Sequence, residues 1–125
     1  MLKLIGGRLY QWDLGRQMEV QDPDGMQITE LNFCHPGDDE ALVVIPERNG
    51  DTVTVAIPNV LMQSGEDLMV YECVGDVTVS HVRKSVVHRE RPADYAYTEI
   101  SVPEEWVFTL ANGKTMTRTV YTRGV

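Results

Sequence analysis

The sequence predicts an all-β protein: an immunoglobulin-like antiparallel β-sandwich with an appended C-terminal β-hairpin. The first observation is that apolar residues recur at every second position over most of the chain, which is the period of a half-buried strand. The second is that turn signals separate these segments at a spacing of roughly 8–12 residues. The third is that no segment has the 3.6-residue period of an amphipathic helix, so we expect no substantial helix.

The first strands are expected close to the N-terminus. Residues 9–13 alternate between apolar and polar positions and predict a short strand with Tyr10 and Trp12 on one face. Met18 and Val20 continue the alternation and mark a second strand.

The next strands follow clear turn signals. A turn is expected at residues 22–25, because Pro sets φ and Gly accepts positive φ. Residues 27–34 predict a strand, and one slip in their spacing predicts a β-bulge. Residues 41–46 are apolar without a break, which is typical of a central strand buried on both faces. Residues 47–51 contain an Asn-Gly pair and predict a hairpin turn.

The stretch from residue 51 to 74 is the most informative part of the chain. An alternating strand ends at Pro58, because proline has no N–H for the ladder and fixes its own φ. The apolar triplet at residues 60–62 is expected to drop into the core as a plug, before a returning strand begins at Leu68. No residue in this stretch has the character of a catalytic residue, which favours a binding protein over an enzyme.

The chain is expected to divide into a sandwich domain at residues 1–90, an extended linker at 91–103 and a C-terminal hairpin at 104–125. The linker is polar and contains two prolines. Asn112-Gly113 suits a two-residue type I′ turn in the hairpin. Alternation then places Trp106, Phe108 and Leu110 on one face, opposite Thr119, Thr117 and Thr115.

That hairpin face predicts an interface between copies. Burying such side chains contributes roughly 1.5–3 kcal/mol each, and a two-stranded ribbon cannot cover its own face. The alternative is that the sandwich itself covers the hairpin. The predicted interface residues are Trp106, Phe108, Leu110, Tyr95 and Tyr97.

Composition sets the limits on class and partners. A chain of 125 residues is long enough for one domain with a real core. Its net charge of −8 argues against binding to nucleic acid or to an anionic membrane. No apolar run approaches the length of a transmembrane helix, and residues 1–7 are too short an apolar start for a signal peptide. We therefore expect a protein that stays in the cytosol until it is assembled.

No catalytic, metal-binding or cofactor-binding site is predicted. His35, His81 and His88 are scattered and have no neighbouring ligand at metal spacing. Ser64 lies in Gln-Ser-Gly, which is not a nucleophile elbow. Residues 22–25 do not fit an EF-hand loop, because apolar residues fall where carboxylates are required.

The two cysteines, Cys34 and Cys73, allow two interpretations. One is a disulfide between the sheets of a sandwich. The other, which we favour because nothing routes the chain to an oxidising compartment, is a pair of buried, reduced thiols.

Several motifs, taken in order, carry a resemblance to a known family. They are Leu9-Tyr10-Gln11-Trp12-Asp13 with Arg16, the strand at residues 28–34, Asp38-Asp39-Glu40-Ala41-Leu42-Val43-Val44, Ile57-Pro58-Asn59-Val60-Leu61-Met62 and Leu68-Met69-Val70-Tyr71. Residues 1–99 with these motifs resemble the N-terminal sandwich domain of tail-fibre and baseplate proteins from phages and prophages of Gram-positive gut bacteria. The segment at residues 89–99 resembles the segment that connects that domain to the rest of the protein.

The resemblance implies a non-enzymatic virion component that docks onto other tail or baseplate proteins. It also implies a homo-oligomer, with a trimer as the expected state, found in the bacterial cytoplasm before assembly and in the tail afterwards. Members of the family usually continue into a shaft or receptor-binding region, so direct receptor binding is not expected of this chain.

A second function class remains open from the residues themselves. The chain could be a free-standing carbohydrate- or protein-binding sandwich. Tyr10 and Trp12, or the pair Tyr95 and Tyr97, would then supply the stacking surface for a sugar.

Overall fold

The computed structural model describes residues 2–22, 28–38, 41–75 and 77–95, together with the backbone of 104–109 and 115–121. Within these ranges the chain forms twelve strands and one short 3-10 helix. The elements are β1 (Lys3–Ile5), β2 (Leu9–Tyr10), β3 (Gln17–Gln21), β4 (Glu30–Cys34), β5 (Leu42–Val44), β6 (Glu47–Asn49), β7 (Thr52–Ala56), η1 (Asn59–Gln63), β8 (Leu68–Val74), β9 (Val77–Lys84), β10 (Val86–Val87), β11 (Glu104–Thr109) and β12 (Thr115–Tyr121).

The described strands form two main sheets and one small ribbon. The smaller main sheet has the order β1-β3-β7-β6, and the larger has the order β11-β12-β5-β4-β8-β9. Pairing within the main sheets is antiparallel except between β12 and β5, which run parallel. The ribbon pairs β2 with β10, also in parallel.

One hydrophobic core lies between the two main sheets. In β3 and β7, the apolar residues at alternate positions are buried and the residues beside them are more exposed. The buried cluster joins Met18, Val20, Val53 and Val55 of the smaller sheet to Leu31, Phe33, Val44, Leu68 and Val70 of the larger. This arrangement confirms the predicted all-β, sandwich-like fold. Its immunoglobulin-like topology stays a prediction.

The plug is confirmed where it was expected. Pro58 precedes η1, and Leu61 and Met62 are the buried residues of that short helix. The central strand is confirmed as well, because Val43 and Val44 are both buried although they point to opposite faces of β5.

Local turn and bulge predictions are less accurate. Asn49 pairs with Thr52, so the hairpin turns at Gly50 and Asp51, one position later than the Asn-Gly signal indicates. Gly50 has a φ of 61°, which few residues other than glycine adopt. The described pairing of β4 with β8 has no register shift from Glu30 to Cys34. A bulge lies instead where β8 pairs with β9, and it leaves Val79 as the extra residue.

The predicted strand at residues 9–13 is wrong beyond Tyr10. The carboxylate of Asp13 accepts the Tyr10 N–H at 2.9 Å, and the Asp13 N–H donates to the Tyr10 carbonyl at 3.0 Å. These bonds close a turn, and Trp12 in that turn has a φ of 74°. Tyr10 and Trp12 therefore do not share one face of a strand.

The register of the C-terminal strands also differs from the prediction. Trp106 pairs with Arg118 and Phe108 with Met116, so the expected opposition to threonines is wrong by one residue. A shift of one residue changes which side chains share a face. The two-residue turn predicted at Asn112-Gly113 lies outside the described part of the chain.

The C-terminal pair is not held apart from the sandwich. Thr119, Val120 and Tyr121 of β12 pair with Leu42, Val43 and Val44 of β5, so β11 and β12 extend the larger sheet. This pairing contradicts the expectation that a linker separates the hairpin from the main sheets. The exact boundaries at residues 90 and 103 remain a prediction.

Candidate functional site

The most elaborate side-chain cluster in the described structure is built around Trp12. Its main-chain N–H donates to the Met62 carbonyl at 2.7 Å, and its indole Nε1–H donates to the Arg89 carbonyl at 3.1 Å. The ring of Tyr95 meets the indole edge to face, with centroids 5.2 Å apart. Gln63 Nε2 donates to the Tyr95 hydroxyl at 3.2 Å. We call the group the Trp12 clamp, and its members are Tyr10, Trp12, Arg89, Arg91 and Tyr95.

Two arginines cover the aromatic rings of the clamp. The Arg91 guanidinium lies over both Trp12 and Tyr95, at 5.6 and 5.1 Å from the ring centroids. The Arg89 guanidinium lies 5.8 Å from the centroid of Tyr10. These are cation–π distances. The rings therefore pack against the protein's own cations, and a sugar would have to displace them before it could stack.

The backbone of Trp12 is strained. A φ of 74° places an L-residue in the left-handed region, which costs roughly 1–2 kcal/mol. Strain of this kind persists where the surroundings determine the conformation, and it is concentrated at functional positions. Here the two hydrogen bonds of Trp12 and the Tyr95 ring hold the conformation in place.

Arg16 organises the loop beside the clamp. Its Nη1 donates to the Arg8 carbonyl at 2.6 Å and to Asp13 Oδ2 at 2.7 Å. Its Nη2 donates to the carbonyls of Ile5 and Gly7, at 3.0 and 2.6 Å. One guanidinium thus satisfies the carbonyls of the turn between β1 and β2 and joins that turn to the Asp13 turn.

A second cluster forms around His35. The imidazole Nε2 lies 2.8 Å from the Leu61 carbonyl oxygen, and Nδ1 lies 3.3 Å from Glu66 Oε2. The Ser64 hydroxyl lies 3.5 Å from Nε2 and 3.2 Å from Glu66 Oε2. Serine, histidine and a carboxylate thus meet, although the sequence separates them and gave no signal of it.

This cluster does not have the hydrogen-bond pattern of a nucleophilic triad. A carbonyl oxygen only accepts hydrogen bonds, so the contact with Leu61 requires a hydrogen on Nε2. Nε2 then has no lone pair to accept the Ser64 proton, as a general base must. The His35 ring instead links the end of β4 to η1 and to the loop before β8.

The other histidines lie elsewhere. His81 is on β9, where its ring lies 5.9 Å from that of Tyr71, and His88 is exposed after β10. Within the described ranges, no three histidine, cysteine or acidic side chains are grouped so that they could hold a metal ion. No described helix is long and apolar enough to cross a membrane.

The two thiols are buried on neighbouring strands of the larger sheet and are not joined by a disulfide. Cys34 pairs with Met69, four positions along β8 from Cys73. Four residues of strand span on the order of 13 Å, whereas bridged cysteines have Cα atoms within about 7 Å. Burial raises the pKa of the Cys34 thiol, and the charge of Asp38 raises it further, so Cys34 is a poor nucleophile.

Most side chains of β9 are exposed. It lies at one edge of the larger sheet, opposite the edge formed by β11. Val77 and Val79 are 57% and 39% exposed, although both are apolar. The alternation of residues 77–82 signals a strand, but position at an edge follows from long-range pairing and leaves no local signal.

The predicted interface residues are only partly described. Tyr95 is half-buried in the Trp12 clamp, so it packs on the sandwich. Trp106 and Phe108 lie on β11 at the other edge of the larger sheet, and the description there is of backbone alone. Tyr97 and Leu110 fall outside the described residues.

Comparison of the chain with protein-family models, with curated proteins and with solved structures gave no match.

Proposed function

We propose that the chain is a non-enzymatic structural or adaptor protein of a phage or prophage tail, which docks onto other tail or baseplate proteins. The resemblance of residues 1–99 to the N-terminal sandwich of tail-fibre and baseplate proteins motivates the assignment to a tail. The observation that carries the docking role is the exposed edge strand β9, with Val77 and Val79 open to solvent.

An edge strand supports docking through its backbone. Its outward N–H and C=O groups can pair with a strand from another chain, and its side chains then add specificity. The bulge at Val79 bends the first part of β9, which limits indiscriminate pairing there. The regular part, from Ser80 to Lys84, suits an added strand, and the exposed side chains of Val77 and Val79 beside it add apolar contacts to the same partner.

Self-association is the second part of the proposal. The other edge of the larger sheet is β11, which carries Trp106 and Phe108 at alternate positions. Contacts there would join copies of the chain into a homo-oligomer, for which a trimer is proposed on the resemblance alone. The assembled protein would reside in the tail, and the free protein in the bacterial cytoplasm.

The alternative of a sugar-binding module has less support from the geometry. The indole N–H of Trp12 is already bonded to the Arg89 carbonyl, and Arg91 lies over the ring. Sugar sites need exposed aromatic faces together with unsatisfied polar groups. Tyr10, 39% exposed, remains the most accessible ring of the clamp.

Purified particles test the proposal directly. Prophage induction in the bacterium that encodes the chain, followed by density-gradient purification and quantitative mass spectrometry, should find the chain at a fixed ratio to the tail proteins. Intact particles without the chain would contradict the proposal.

A variant of β9 tests the docking surface separately. Val77→Lys with Val79→Lys should lower incorporation into particles, because the charges would have to be desolvated on docking. Leu14→Lys is the matched control, since Leu14 is an exposed apolar residue that is not part of β9, at 43% exposure. Equal incorporation of both variants would remove β9 from the proposal.

A further inference from the structure

A groove of about 360 Å³ opens between the turn after β1 and the junction of β9 with β10. Leu9 is fully buried at its floor, and Leu4 and Val87 are half-buried beside it. Its volume lies within the range of about 300–1,000 Å³ that small-molecule sites occupy. The lining residues are Leu4, Arg8, Leu9, Lys84, Ser85 and Val87.

The charge of this groove is opposite to that of the whole chain. Among the described residues, its lining has two cations, Arg8 and Lys84, and no carboxylate, in a chain of net charge −8. Arginines elsewhere on the surface have carboxylate partners, such as Arg16 with Asp13, and Arg83 with Asp67 at 2.6 Å. The structure gives the side chains of Arg8 and Lys84 no hydrogen bond or ion pair within its described ranges. A partly enclosed pair of unmatched cations attracts an anion.

The walls of the groove are held before any ligand arrives. Arg16 bonds the carbonyls of Ile5, Gly7 and Arg8, which fixes the turn that carries the Arg8 side chain. The parallel pairing of β2 with β10 fixes the opposite wall. Such preorganisation lowers the entropy cost of binding.

We propose that this groove binds a small amphiphilic anion, which has a carboxylate or phosphate head group on a short aliphatic body. The head group contacts the guanidinium of Arg8 and the ammonium of Lys84, and the Ser85 hydroxyl donates a further hydrogen bond. The aliphatic part lies on the accessible apolar surface of Leu4 and Val87, above the buried Leu9. This site is separate from β9 docking and does not depend on it.

Titrations of the ¹⁵N-labelled full chain with hexanoate, hexyl phosphate and hexanol test the proposal. At least one of the two anions should shift the backbone amide signals of Leu9, Lys84, Ser85 and Val87 in a saturable way. Hexanol should bind at least about tenfold more weakly, because it has the same aliphatic body without the charge. The tighter of the two anions identifies the head group.

The double variant Arg8→Gln with Lys84→Gln should weaken binding of the preferred anion by about tenfold or more. Lys3→Gln is the control, because it removes a cation from β1 outside the groove lining. Thermal unfolding of each variant verifies that the fold is retained. The proposal would be overturned if neither anion gave a saturable shift, or if the shifts mapped elsewhere. It would also be overturned if hexanol bound as tightly as the anions, or if the double variant bound the preferred anion as tightly as the unmodified chain.

Discussion

The indole nitrogen of Trp12 donates a hydrogen bond to the main-chain carbonyl of Arg89 at 3.1 Å, although 77 positions separate the two residues in sequence. This bond joins the turn after β2 to the segment after β10, in line with the parallel pairing of those strands. Residues 91–95, expected to begin a linker, follow directly after this bond, and Arg91 and Tyr95 pack against the same indole ring.

The strain at Trp12 predicts an inverted order of stability. Trp12→Gly should be more stable than Trp12→Ala by about 1 kcal/mol, because glycine adopts a positive φ without steric cost. Chemical denaturation of both variants measures the difference. Tyr10 is the control, since it lies in β2 and is not among the residues of positive φ. Tyr10→Ala should therefore be more stable than Tyr10→Gly. Equal stability of the two Trp12 variants would show that the loop carries no such strain.

Removal of the His35 ring should destabilise the fold by about 1–3 kcal/mol, because the Leu61 carbonyl would lose its donor. Urea unfolding of His35→Ala measures this loss. His81→Ala should change the stability by no more than about 0.5 kcal/mol, because His81 is exposed on the edge strand. A catalytic role would appear instead as turnover of a glycan or peptide that His35→Ala abolishes.

Glu72 predicts a pH dependence of stability. Burial raises the pKa of its carboxyl above the usual value of 4.5, and the charge of Asp22 adds to this. The folded state therefore holds the proton more tightly than the unfolded chain, and stability falls as the pH rises from 4.5 through the folded pKa.

Glu72→Gln should accordingly raise the free energy of unfolding at pH 7, and this gain should vanish below about pH 4. Glu47→Gln, on the exposed strand β6, is the matched control and should show no such gain. A gain that persists unchanged at acid pH would assign the effect to something other than ionisation.

The thiols should react only after unfolding. Both cysteines are buried, and the raised pKa of Cys34 leaves little thiolate at neutral pH. Intact mass should show two alkyl groups per chain after labelling in denaturant without reductant, and few after labelling of the native protein. A chain that takes up label only once it has been reduced would contain a disulfide.

Trp106→Ser with Phe108→Ser should convert the proposed oligomer to a monomer in light scattering. Val107→Ser, at the intervening position, is the control and should leave the oligomer intact. A chain cut after Glu99 should also be monomeric. This truncation is a less specific test, because it also removes β12, the neighbour of β5 in the larger sheet. Identical molar mass for the double variant and the unmodified chain in the micromolar range would exclude this face as the assembling element.

Local signals in the sequence were enough for much of the fold. Pro58 and the apolar residues after it predicted the plug, since a proline ends a strand whatever its surroundings are. The unbroken apolar run around Val43 predicted a central strand, because burial on both faces removes the need for alternation.

Long-range contacts account for what the sequence did not reveal. Trp12 fits an alternating strand by pattern, and only its bonds to Met62 and Arg89 hold it in the left-handed region. The pairing of β12 with β5 leaves no trace in the alternation of either strand. The cluster of His35, Ser64 and Glu66 was not predicted from the sequence either. These residues come together only because of how β4 and η1 pack.

The parallel pairing of β5 with β12 also affects the order of folding. During synthesis at about 5–20 residues per second, β4, β5 and β8 leave the ribosome well before β12 exists. Until then the free side of β5 has backbone groups with no ladder partner. Closing the long loop between these strands is entropically slow, so completion of the larger sheet is expected to be a late step. A nascent chain that stalls before β12 therefore exposes β5 as an edge to which other chains can add.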